Sequence, residues 1–301
     1  MEKKMTVNVP MFRVVDDNAI FVKAAIMDKY ANEHDGLFLL DSGSTDNSMS
    51  YKFKELIGEL CWSKGVANET YTVGNAMVKE ESINFNFVLG GIQFHEEFSI
   101  SPKYEDENVG DLPIFGILGN GFFRKYNLAL DYAEHRVYTS QVDHTNLCIA
   151  DCEYFFPMQC GLDNFGIPVV PLKGEKQELV AMVDTGSNAN QFSEGAIKDN
   201  CIKYTLTGEH IKHQTIAGQH DAEAADVSFT LLGLSEDCSY EEYPRQDMAD
   251  VVSIPFISTA KPNMPADSDD NPAIYAILGS PFIGKEGWVL DFGAKIIFKR
   301  K

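Results

Sequence analysis

The sequence predicts a mostly β chain of two lobes with few short helices, on three observations. An apolar run ending on aspartate is written twice, as Leu37-Phe38-Leu39-Leu40-Asp41-Ser42-Gly43-Ser44-Thr45 and as Val180-Ala181-Met182-Val183-Asp184-Thr185-Gly186-Ser187-Asn188. An apolar-apolar-glycine segment follows each, Ile117-Leu118-Gly119 and Ile277-Leu278-Gly279, and then an apolar strand closing on a further aspartate, Asp131 or Asp291. The spacing agrees: Gly119 to Asp131 and Gly279 to Asp291 are both 12 residues. The chain is therefore a duplication of one unit, with lobes expected at 1–145, carrying Asp41, and 146–301, carrying Asp184.

Each element has a local reason. Ala19 to Ile26 reads as a strand leading through a polar turn at 32–36 into the first aspartate strand, and Ile167 to Leu172 leads through a turn at 173–178 into the second. Phe53, Leu56, Ile57 and Leu60 fall at helical spacing within 49–60, and Ser193 precedes a shorter helix candidate as its cap. Residues 69–78 read as a hairpin around Gly74-Asn75, and Ile83 to Leu89 alternates as a half-buried strand should. The second half repeats this with a hairpin near Gly218 and a strand at 227–231. Asp41 to Gly119 is 78 residues but Asp184 to Gly279 is 95, which places an insertion in the second lobe, at about 236–271.

Composition narrows the function. At 301 residues, 44% of them hydrophobic, the chain can bury two cores of about 150 residues each. Its 45 acidic against 25 basic residues, net −20, exclude nucleic acid and an anionic membrane surface as partners. No run approaches the ~18–20 apolar residues of a membrane span, and no signal-like apolar run follows the N-terminal lysines. The expectation is a cytoplasmic monomer, secreted or periplasmic if an export signal has been trimmed. Six cysteines read as structural thiols, since Cys148, Cys152 and Cys160 lack zinc-ligand spacing. Asp267-x-Asp269-x-Asn271 imitates a calcium loop, but Pro272 stands where glycine is needed, so no metal is expected.

The chemistry lies in the doubled motif. An ionised carboxylate at the end of a buried strand is tolerated only with hydrogen bonds or a partner, and two such aspartates are natural partners. The constellation resembles the pepsin-like and retropepsin-like aspartic peptidases over most of both halves. That resemblance implies a bilobal pepsin-like fold, a duplicated retropepsin-like unit, in which Asp41 and Asp184 share a proton and activate a water against a peptide bond, with no cofactor. It implies that Ser42 and Thr185 lock the two turns together across the interface. Gly43 and Gly186 turn the backbone toward the carboxylates, and Ser44 and Ser187 donate to the outer carboxylate oxygens. Pepsins carry one flap, whereas here Val73, Gly74 and Asn75 in one half and Ala217 and Gly218 in the other are flap candidates. Two flaps and short lobes are similar to a fused retropepsin dimer of bacterial type. The expected function is an aspartic endopeptidase acting on peptides or unfolded protein. The alternative is a catalytically silent peptide-binding protein that keeps the fold. A two-carboxylate glycosidase, needing carboxyls roughly 5–9.5 Å apart, fits short Asp-x-Gly turns poorly. Asp131 and Asp291 read as structural.

Overall fold

The computed structural model describes residues 6–14, 19–65, 68–71, 77–101, 107–140, 151–160, 167–176, 178–199, 202–215, 218–252 and 274–301. Among these the chain is mostly β, with four short helices at Tyr51–Ile57, Asn120–Lys125, Glu194–Asp199 and Ser280–Glu286. None is long and apolar enough to cross a membrane.

The same arrangement is built twice. In the first lobe, Ile20–Met27 pairs antiparallel with Glu33–Asp41, and Leu112–Gly119 runs parallel to that strand with Gly119 opposite Asp41. In the second, Pro168–Lys173 pairs with Glu178–Asp184, and Ile274–Gly279 runs parallel with Gly279 opposite Asp184. The aspartate strands read as unbroken apolar runs because both faces are covered. Phe38 and Leu40 join the large aromatic core, while Leu37 and Leu39 pack with Phe21, Ile114 and Ile117 on the other side. Phe38, Phe85, Phe87 and Phe98 meet at ring distances of 4.6–6.2 Å. Each fully buried ring contributes about 1.5–3 kcal/mol.

The lobes are joined by a shared sheet. Its strands run, in order, Asn8–Pro10, Arg136–Thr139, Leu128–Asp131, Trp288–Asp291, Ile296–Arg300 and Cys152–Pro157. Leu130 faces Leu290 at its centre, with Ala129 opposite Asp291 and Asp131 opposite Val289. The two halves are thus related by an approximate two-fold through that pair. Asp131 and Asp291 are buried and cap their own turns, accepting from the Glu134 N–H at 2.9 Å and the Ala294 N–H at 2.8 Å. Arg300 and Ser140 complete them, at 2.7 and 2.8 Å. The structural reading of both residues agrees with this.

Several expectations need correction. The first helix stops at Ile57 because Gly58, at φ 78°, ends it, so Leu60 projects into solvent at 95% exposure and does not pack. The turn before the first aspartate strand is at 28–32, not 32–36, since Met27 already faces Glu33. The expected insertion is not a loop through its first half: Tyr240–Val252 is a strand, paired along its length with Gly218–Leu234. The extra length lies partly in that longer hairpin. The remainder of the expected insertion, including Asp267, Asp269 and Asn271, lies outside the described residues, as do Pro272 and Cys148.

The 28–32 turn is held by one carboxylate. Asp28 accepts from the backbone N–H of Tyr30 and Asn32, both at 2.8 Å, from the Asn32 amide at 3.0 Å and from His34 Nε2 at 2.9 Å. The His34 bond, with the Asn32 and Tyr30 donors helping against burial, holds its pKa well below the ordinary range. A depressed carboxylate pKa stabilises the fold above the unfolded value near 3.9 and loses that contribution as pH falls. Asp28→Ala is therefore expected to lower the melting temperature at pH 7, with the difference from wild type shrinking below about pH 4, as thermal melts at several pH values would read.

Candidate active site

Both aspartates stand at the last residue of their strands, where the chain turns into Ser-Gly-Ser or Thr-Gly-Ser. The turns meet at the lobe interface and are tied by four reciprocal hydrogen bonds. The Ser42 N–H donates to Thr185 Oγ1 at 2.8 Å and the Thr185 N–H donates to Ser42 Oγ at 2.9 Å. In turn Ser42 Oγ donates to the Val183 carbonyl and Thr185 Oγ1 to the Leu40 carbonyl, both at 2.7 Å. Both side chains are fully buried, so their hydroxyls depend on these bonds for satisfaction. The interlocking role expected for Ser42 and Thr185 is what these bonds describe.

The glycines set how close the carboxylates come. A Cβ on Gly43 would stand 2.4 Å from Asp184 Cγ, and one on Gly186 would stand 2.3 Å from Asp41 Cγ. Each half-buried carboxylate therefore lies against the backbone of the other lobe's turn, in space that only glycine leaves open. Asp41 Oδ1 accepts from the N–H of Gly43 at 2.9 Å and of Ser44 at 3.0 Å, and Asp184 Oδ1 accepts from the Gly186 N–H at 2.8 Å.

The serine hydroxyls differ from the expectation. Ser44 Oγ donates to the Asp46 carbonyl at 2.9 Å and Ser187 Oγ to the Ala189 carbonyl at 2.8 Å. A hydroxyl has one proton, and the carbonyl two residues ahead competes for it successfully. For Ser44 it is the backbone N–H, not the side chain, that reaches the carboxylate.

Two residues not singled out from the sequence organise both turns. Asn47 and Asn190 each lie six residues after their aspartate. Asn47 Oδ1 accepts from the Gly119 N–H and Asn190 Oδ1 from the Gly279 N–H, both at 3.0 Å. Their amides donate to Glu97 and Met248 carbonyls at 3.2 and 2.9 Å. They pin the aspartate loops to the parallel supporting strands. The repeated offset of six was the available signal.

The flap candidates are divided. Asn68–Tyr71 pairs with Met77–Glu80 in a separate two-stranded ribbon, and Lys203–Thr215 pairs with Gly218–Leu234. Val73, Gly74, Asn75 and Ala217 lie outside the described residues. Gly218 does not centre the second hairpin: it opposes Thr215. No protein-family model matches the chain, and no curated protein matches it significantly in sequence.

Proposed function

We propose that the protein is an aspartic endopeptidase of pepsin-like, duplicated retropepsin-like architecture, hydrolysing peptide bonds with a water held between Asp41 and Asp184. The observation that carries this reading is the reciprocal contact of each carboxylate with the other turn's glycine. Like charges that close do not both ionise readily, so the pair shares one proton. The ionised member takes a proton from water as it attacks the scissile carbonyl. The protonated member supports the developing oxyanion and then supplies the proton that the leaving nitrogen needs. The four crossing hydrogen bonds hold the geometry rigid, which favours a near-attack arrangement over one that must be ordered on each turnover.

The two hairpins recur at matching sequence distances from Asp41 and Asp184, and hairpins of this kind would offer backbone partners to an extended peptide as substrate. Digestion of a peptide library from pH 3 to 9, read by mass spectrometry, tests the reading. Cleavage within peptides, competed by a statine-type peptide whose hydroxyl replaces the water, is the expected result. Peptide binding without cleavage at any pH would favour the silent binding protein instead.

A further inference from the structure

The two aspartate turns are near copies, and each is braced by the first residue of a short helix. Asn120 opens Asn120–Lys125 and Ser280 opens Ser280–Glu286. Their backbones are equivalent: the Asn120 N–H donates to the Ser44 carbonyl at 2.8 Å and the Ser280 N–H to the Ser187 carbonyl at 2.9 Å. Their side chains reach matching targets too, the carbonyl of the residue after each aspartate, but not equally well. Ser280 Oγ donates to the Thr185 carbonyl at 2.6 Å, whereas Asn120 Nδ2 reaches the Ser42 carbonyl at 3.3 Å. The first is at the short end of O–H···O bonds and the second is beyond the usual N–H···O range. Asn120 Oδ1 is also buried with no partner among the described residues, so the amide fits its place less completely than the hydroxyl fits its own.

Each of these carbonyls belongs to the peptide unit whose N–H holds the carboxylate. The Thr185 carbonyl and the Gly186 N–H are one unit, and that N–H donates to Asp184 Oδ1 at 2.8 Å. The Ser42 carbonyl and the Gly43 N–H are the other, donating to Asp41 Oδ1 at 2.9 Å. A donor on an amide oxygen draws electron density from the amide nitrogen. Hydrogen bonds in series through one peptide therefore strengthen each other, by about 10–30% per bond, in surroundings of low dielectric. Ser280 and Asn120 are both buried. The series from Ser280 through the 185–186 peptide to Asp184 is short at both links, while the series from Asn120 to Asp41 is long at its first. Asp41 Oδ1 takes a second N–H, from Ser44 at 3.0 Å, so the two turns hold their carboxylates by different means.

We propose that Ser280 is a positioning residue for Asp184, its hydroxyl polarising the 185–186 peptide so that the Gly186 N–H holds the carboxylate firmly in one orientation, which Asn120 does only weakly for Asp41. That this orientation serves turnover rests on the peptidase reading; the hydrogen-bond series itself does not.

The test compares Ser280→Ala, Ser280→Thr and Asn120→Ala with wild type in the full chain. In Ser280→Ala the Gly186 amide proton should move upfield in ¹H–¹⁵N spectra while that of Gly43 stays in place. On a cleaved peptide kcat should fall roughly two- to five-fold with KM nearly unchanged. Ser280→Thr keeps the hydroxyl and should restore both, and Asn120→Ala should lower kcat less than Ser280→Ala does. An unmoved Gly186 amide, a Thr variant no different from the Ala one, or an equal loss of kcat from Asn120→Ala would overturn the proposal. Should Ser280→Ala fail to fold, Asn120→Ser asks the same question in the first lobe: the Gly43 amide proton should move downfield, and an unmoved one would overturn the proposal. The amide shifts need no turnover, so an inactive wild type would remove the peptidase reading while they still decide whether Ser280 acts through the peptide.

Discussion

Asp41→Asn, Asp184→Asn and the double variant are each expected to lower kcat/KM on a cleaved peptide by at least about 10³-fold, with the double change no worse than either single one. A shared-proton pair acts as a unit, because the single carboxyl left by either change cannot be acid and base at once. The fold should survive. Each carboxylate is half-buried at its strand end, and an amide can still accept the N–H of Gly43 or Gly186 while relieving like-charge repulsion. Melting temperatures at or above that of wild type, with activity lost, are the expected combination. A single variant retaining more than a few per cent of activity would point to another catalytic group.

The interlock offers the largest expected loss of stability. Thr185→Val keeps the shape but removes the acceptor of the Ser42 N–H and the donor to the Leu40 carbonyl. Two buried backbone groups are left unsatisfied, each costing about 1–3 kcal/mol, so a destabilisation of about 2–5 kcal/mol is expected by chemical denaturation. Thr185→Ser retains the hydroxyl and should remain within about 1.5 kcal/mol of wild type. Gly43→Ala separates geometry from stability: its methyl would collide with the Asp184 carboxyl carbon at 2.4 Å. A shift of about 1 Å at the reacting groups costs on the order of 10²-fold in rate, so this variant should fold and cleave poorly. A Thr185→Val protein as stable as wild type would mean that the crossing bonds do not hold the lobes together.

What could be read from the chain followed from repetition. A lone Asp-Thr-Gly carries little information, but two copies at matched spacing with matched downstream glycines placed both turns, both supporting strands and the central pair of closing strands. What escaped had physical reasons. The helices Asn120–Lys125 and Ser280–Glu286 are six and seven residues long and carry Gly121, Pro281 and Gly284, too short and interrupted for periodicity to register. Tyr240–Val252 is hard to read as a strand because its first nine residues, mostly exposed and including Pro244, show no apolar alternation. Leu60 matched the helical spacing but followed a glycine that had already ended the helix. Ser44 and Ser187 of the two motifs give their protons to the Asp46 and Ala189 carbonyls, a local competition that the motif itself does not display. Asn47 and Asn190 share an offset of six from their aspartates, but a polar loop residue at one matched offset carries little information by itself.

Whether Asp41 and Asp184 share one catalytic proton is decided by the pH dependence of kcat/KM on a fluorogenic peptide between pH 3 and 9. A shared-proton pair is active only between its two macroscopic pKa values. The expected profile is a bell with its maximum on the acid side of neutrality, at roughly pH 4 to 6.5 by the behaviour of such carboxylate pairs. A single sigmoid rising with pH to a plateau above 8 would contradict it.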